Sequence, residues 1–167
     1  MSLQKITDPK KKDIVIDALT RYNLQYDKVD KIIRFRRANF LDKITYEDYP
    51  TRIQIIGYLE KGKIFSLVEF VYHAEDWIFA KKIKIVADDY TWEASNRFST
   101  EVGNSGIWEY CSFEYNPKMK ELIKNIINSK ETIVRFSGKY YDDFTVTQRM
   151  KDTLKLMSEA IVILNGK

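Results

Sequence analysis

The chain has 167 residues, 44% of them hydrophobic, 14% aromatic and 31% charged, with a formal net charge of +4. That length fits one domain, which can bury roughly 70% of the surface its unfolded form exposes. The composition excludes a disordered chain, which is poor in aromatics, and the charge is too small to mark a nucleic-acid binder by itself.

We read residues 1–167 as a single domain, with 1–8 a flexible or vector-derived leader. Asp8-Pro9 opens a helix, because Asp caps and Pro suits the first helical position. Ile14, Ala18, Leu19 and Tyr22 share one stripe, and the expected end lies near Asn23. Lys31–Phe40 reads as a strand in which Ile33 and Phe35 alternate with Arg34 and Arg36, followed by an irregular stretch over 41–51. Arg52–Leu59 and Ile64–His73 form a hairpin around Lys61-Gly62. In the second of these strands Ile64, Ser66, Val68, Phe70 and Tyr72 make the more apolar face.

Phe79–Val86 and Tyr90–Ser95 form the next pair, turned at Asp88-Asp89. Glu101–Gly106 reads as a loop and Ile107–Tyr115 as a long strand. Asn116-Pro117 repeats the cap-plus-proline signature before the stripe Met119, Leu122, Ile123, Ile126 and Ile127. Thr132–Phe136 turns at Ser137-Gly138 into Lys139-Tyr140-Tyr141. Thr145 or Thr147 then caps a last helix with the stripe Met150, Leu154, Met157, Ile161 and Leu164. Strands in hairpin succession argue for antiparallel pairing. The expected fold is therefore α+β: an antiparallel, strongly twisted or two-layered β-sheet with an N-terminal helix and two C-terminal helices packed on it.

Charge is unevenly spread. Residues 1–43 hold eleven Lys/Arg and six Asp/Glu, while residues 88–116 hold six acids and only Arg97. This suits a solvated surface or an oriented partner surface. Cys111 is the only cysteine, so no intrachain disulfide is available. No apolar run approaches the ~18 residues of a membrane-spanning helix.

The chemistry-bearing candidates are few. His73 is the only histidine, so a nucleophilic triad would have to use it. Glu75-Asp76, Asp88-Asp89 and Asp142-Asp143 are dipeptides, and neighbours in a strand point to opposite faces, which is not a glycosidase pair. Gly103-Asn104-Ser105-Gly106 matches GxxG but lies between strands. No Walker A or GxGxxG string occurs. We therefore expect no cofactor and no metal. Arg34, Arg36 and Arg37 around Phe35 fit either an exposed strand face or a single-strand backbone track. Trp77, Trp92 and Trp108 fit core packing or a ligand rim. Glu109 falls on the apolar face of Cys111 and Phe113, and a buried carboxylate needs a partner. Arg135, between Val134 and Phe136, is the expected one, as a structural ion pair. Arg135, Trp108 and Tyr140 are also the candidate binding residues for an anionic ligand.

Several strings carry a resemblance. Tyr26-Asp27-Lys28-Val29-Asp30-Lys31-Ile32, Asp76-Trp77-Ile78-Phe79 leading into Ile83-Lys84-Ile85, and Gly106-Ile107-Trp108-Glu109 form one set. Asn128-Ser129-Lys130 with Ile133-Val134-Arg135-Phe136-Ser137-Gly138-Lys139-Tyr140-Tyr141-Asp142-Asp143 forms another. Together, over roughly residues 10 to 160, they resemble a family of uncharacterised bacterial domains often carried by small predicted lipoproteins or secreted proteins. The resemblance implies a cell-envelope or extracellular location if a native leader has been removed, and a cytoplasmic one otherwise. It implies no activity and no site residues.

The function read from the sequence is a non-enzymatic binding or accessory domain of the envelope, with a protein or an envelope ligand as partner. A small carboxylate-dependent hydrolase is the alternative, and a weak single-stranded nucleic-acid binder the further one.

Overall fold

The computed structural model describes residues 6–20, 22–27, 32–37, 51–60, 63–103 and 106–165, and of residues 19–20, 22–27, 32–37, 59–60 and 63 the main chain only. The first helix, α1, runs Pro9–Thr20. The Asp8 carboxylate accepts the amides of Lys10 at 2.9 Å and Lys11 at 3.4 Å, as the cap signature requires. It ends earlier than the stripe suggests. Tyr22–Asp27 is instead a strand, β1, paired antiparallel with β2, Ile32–Arg37. The expected irregular stretch and the Lys61-Gly62 turn fall mostly outside the described residues. The flanking strands, β3 (Arg52–Glu60) and β4 (Lys63–Ala74), nevertheless pair with Glu60 opposite Lys63, the register of a two-residue hairpin.

The chain then changes sheets. β5 (Lys82–Ala87) and β6 (Tyr90–Ser95) belong to a second sheet, while β7 (Ser99–Gly103) and β8 (Gly106–Glu114) return to the first. Helix α2 (Pro117–Asn128) leads to β9 (Thr132–Ser137) and β10 (Tyr141–Thr145), again in the second sheet, and α3 (Gln148–Leu164) ends the fold. The large sheet has the order β1-β2-β3-β4-β8-β7 and the small one β10-β9-β5-β6. All neighbours are antiparallel. The expected α+β fold, two-layered and with one N-terminal and two C-terminal helices, is the one observed.

Alternation sorts the side chains. Ile53, Ile55, Val68, Phe70, Tyr72 and Cys111 of the large sheet face Ile83, Ile85, Trp92, Val134 and Phe136 of the small one in a single core. Phe70 stacks on Trp92 at 5.7 Å between centroids, and Tyr72 meets Phe136 at 5.8 Å. The helices complete that core with Leu122, Ile123 and Ile126 from α2 and Leu154, Met157 and Ile161 from α3. Both caps read from the sequence hold. Asn116 Oδ1 accepts the Met119 amide at 3.0 Å, and Thr147, not Thr145, accepts the Met150 amide at 3.3 Å. Leu154 is fully buried. Leu154→Ala is therefore expected to cost about 2–5 kcal/mol in a denaturant melt. A loss within about 0.5 kcal/mol, the range of surface substitutions, would show that α3 does not dock through it.

Candidate functional site

The segment between β4 and β5 was expected to begin a strand at Phe79. It is a loop, and its main chain is organised around one side chain. Glu109 lies on the inner face of β8 and is 1% exposed. Its carboxylate accepts three successive amides, from Ile78 at 2.7 Å, Phe79 at 3.0 Å and Ala80 at 2.5 Å. Consecutive N–H groups converging on one anion form a nest, and here the anion is the protein's own carboxylate. The loop pays for this geometry at Phe79, whose φ of +56° is left-handed, a region a bulky side chain seldom enters. Such a conformation costs on the order of 1–3 kcal/mol and persists only where its surroundings impose it.

The other wall of the loop is the β9–β10 turn. Lys81 donates its amide to the Ser137 carbonyl at 2.9 Å, and Tyr140 donates to the Ile78 carbonyl at 3.2 Å. Gly138 allows this approach: a Cβ there would lie 1.8 Å from the Phe79 carbonyl oxygen. The clash is with backbone, so the whole loop would have to move. Gly138→Ala is expected to cost about 1–3 kcal/mol, as overpacking does. An unchanged melting midpoint would show that the turn and the loop are not in contact.

Locked this way, the loop points Ile78 and Ala80 into the core and turns Phe79 outward, while Trp77 is partly buried against the core. Their rings lie 6.4 Å apart, and Phe79 is 50% exposed. The Lys139 ammonium sits 5.9 Å from the Phe79 ring centre and 5.2 Å from that of Tyr140. Tyr140 and Tyr141 are exposed, and the Arg135 guanidinium lies 4.6 Å over the Tyr141 ring. Beneath the rim, burial and then the nearby Asp142 carboxylate push the Tyr72 phenol up to about 12. Phe79 and Tyr140 thus share one cation, Lys139, and the neighbouring Tyr141 carries a second, Arg135.

The expected Glu109–Arg135 ion pair does not form. Val134 and Phe136 are both fully buried, so Arg135 between them must point to the other face of β9, away from the core. There it makes a fork on Asp143, Nε to Oδ1 at 2.7 Å and Nη2 to Oδ2 at 2.6 Å. The side-chain bond to Arg135 holds the Asp143 carboxyl below its ordinary range. The ligand trio is not assembled either. Tyr140 belongs to the aromatic rim and Arg135 adjoins it through Tyr141. Trp108 lies on the outer face of the large sheet, stacked on His73 at 4.7 Å.

The remaining candidates have structural occupations. Trp92 is buried in the core. Cys111 is buried, and burial followed by the Glu69 charge raises its thiol to about 12, so it stays protonated at neutral pH. Asp88 accepts the amides of Lys130 at 2.8 Å and Glu131 at 3.0 Å. Glu69 accepts a hydrogen bond from Gln54. The side chains of Arg34, Phe35, Arg36 and Arg37, and residues 104–105 of the GxxG string, lie outside the described residues. Among the described residues no three His, Cys, Asp or Glu side chains come together as a metal site, and no helix is long and apolar enough to cross a membrane. Trp77, Phe79, Lys139 and Tyr141 were not singled out together from the sequence. Comparison with protein-family models, curated proteins and solved structures gave no match.

Proposed function

We propose that the chain is a non-enzymatic binding domain that engages a protein partner through the surface formed by Phe79, Lys139 and Tyr140. The observation that carries this reading is the rigid presentation of Phe79. A buried carboxylate and three main-chain hydrogen bonds are spent on a strained loop whose outcome is a half-exposed aromatic ring. Stability alone would favour the ring inside. Pre-ordered aromatic side chains beside Arg or Lys are the usual anchors of protein interfaces, because little entropy remains to be lost on binding. An envelope location for such a partner rests on the sequence resemblance.

The test is a selection of twelve-residue peptides from a displayed random library on the intact protein, with each binder then measured against Phe79→Ser and Tyr140→Ser. Hot-spot anchors cost more than about 1.4 kcal/mol when removed, which is tenfold in affinity. Most binders are therefore expected to weaken at least about tenfold on each variant. Binders that keep full affinity for both variants would overturn the assignment of this surface.

A further inference from the structure

The outermost strand of the large sheet, β7, has β8 on one side and, among the described residues, no strand on the other. All five of its residues, Ser99–Gly103, are exposed, and Val102 is 76% exposed. Edge strands are ordinarily blunted by Lys, Pro or a covering element, because their unpaired amides and carbonyls template further strands. β7 contains neither Lys nor Pro. The edge of the small sheet at β10 is treated differently: there the Asp142 carboxylate takes the Asp143 amide at 2.8 Å.

Two side chains give this open edge a chemical preference. Glu101 lies in register with Trp108, on the outer face, and its carboxylate is exposed and held by the Tyr110 hydroxyl at 2.9 Å. The Trp108 indole does not stay over its own strand. A Cβ on Gly103 would lie 2.5 Å from Cζ3 and 2.8 Å from Cη2, so the six-membered ring occupies the place of the missing Gly103 side chain. Its far side is backed by His73. The indole thus lies over Gly103 of the edge strand, one step along from a carboxylate.

We infer that the β7 edge accepts an extended basic peptide segment of a partner as an added strand, with an Arg or Lys side chain lodged between Glu101 and the Trp108 ring. Main-chain pairing supplies attachment, and the acid–indole pair selects the charge. A second copy of this chain pairing through Ser99–Gly103 fits less well, because the register centred on Glu101 sets two carboxylates directly opposite each other. This inference does not depend on the Phe79–Tyr140 surface.

The probes are two capped heptapeptides, Thr-Arg-Thr-Arg-Thr-Arg-Thr and its twin with Glu for every Arg. They are titrated into the intact protein while the backbone amide resonances are followed. The Arg peptide is expected to bind roughly five- to tenfold tighter than the Glu peptide, from one cross-strand ion pair plus one cation–π contact. Its shifts are expected to centre on residues 99–103. Glu101→Lys is expected to reverse the order of the two peptides. Equal binding of the two peptides to the unmodified protein, shifts centred elsewhere, or an unchanged order in a folded Glu101→Lys variant would each overturn the inference. Should Glu101→Lys not fold, the comparison on the unmodified protein still decides it.

Discussion

Glu109→Ala is expected to lower stability by about 3–5 kcal/mol, more than any other single carboxylate substitution in the described residues. Three amides within hydrogen-bond distance of one carboxylate would lose their acceptor together. A stranded buried donor costs about 1–3 kcal/mol. The left-handed Phe79 would also lose what imposes it. Glu109→Gln separates charge from shape. The amide keeps one acceptor oxygen but turns an NH2 group toward amides that themselves donate, so about half the loss or more should remain. Formate offers an independent check, because the emptied nest is a site for a small carboxylate. Adding tens of millimolar formate is expected to raise the melting temperature of Glu109→Ala and leave that of the unmodified protein where salt alone puts it. A Glu109→Ala protein as stable as the parent would remove the basis for reading the loop as pre-ordered. A stable Phe79→Ser beside an unstable Glu109→Ala would show that the cost lies in the nest and not in the exposed ring.

How much of this was legible in the sequence depends on which partner each residue uses. The helix starts were readable because Asp8-Pro9 and Asn116-Pro117 act on amides only two or three residues away. The strands with one buried face were readable for the same local reason: Ile83 and Ile85 alternate with Lys82 and Lys84 whatever lies opposite. β1 and β7 were missed for different reasons. Tyr22-Asn23-Leu24-Gln25-Tyr26-Asp27 does alternate apolar with polar, but Tyr22 also completes the stripe of α1 and hides the change of period, whereas Ser99–Gly103 is exposed on every residue and has no buried face to show. Glu109 shows the limit most clearly. Its position on the apolar face of β8 announced a buried carboxylate that needed donors. The search among side chains led to Arg135, whereas the donors are main-chain amides of a loop 29 to 31 residues away. Main-chain donors are the same in every sequence and leave no letter to find. The alternation of Val134, Arg135 and Phe136 did contain the correction, since two buried neighbours send the residue between them to the opposite face. The loop itself imitated a strand, because buried Ile78 and Ala80 flank exposed Phe79 while a positive φ breaks the ladder.

Lys151 went unremarked among the apolar positions of α3, yet it is only 3% exposed and is expected to be worth about 2–3 kcal/mol. Its ammonium donates to the Ser129 carbonyl at 2.8 Å, the Ser129 hydroxyl at 3.1 Å and the Lys130 carbonyl at 3.3 Å. These groups close the C-terminal end of α2, where a cation also meets the negative end of the helix dipole. The Ser129 hydroxyl is free to accept because it gives its own proton to the Ile126 carbonyl at 2.9 Å, and it adjoins the Thr132 hydroxyl at 2.6 Å. The opposing effect is large. A buried ammonium loses several kcal/mol of hydration, and replacing buried charges by apolar side chains often stabilises. Three charge-assisted hydrogen bonds at about 1.5–3 kcal/mol each outweigh that loss, and the carbonyls they satisfy would otherwise be left bare. Lys151→Met, which keeps the length and volume of the stem, decides between the two by sign. We expect a lower denaturation midpoint with unchanged cooperativity. The first amides to exchange faster are expected to be those between α2 and β9, including the Lys130 and Glu131 amides that Asp88 accepts. A Lys151→Met protein more stable than its parent would show that burial of the charge costs more than the cap returns.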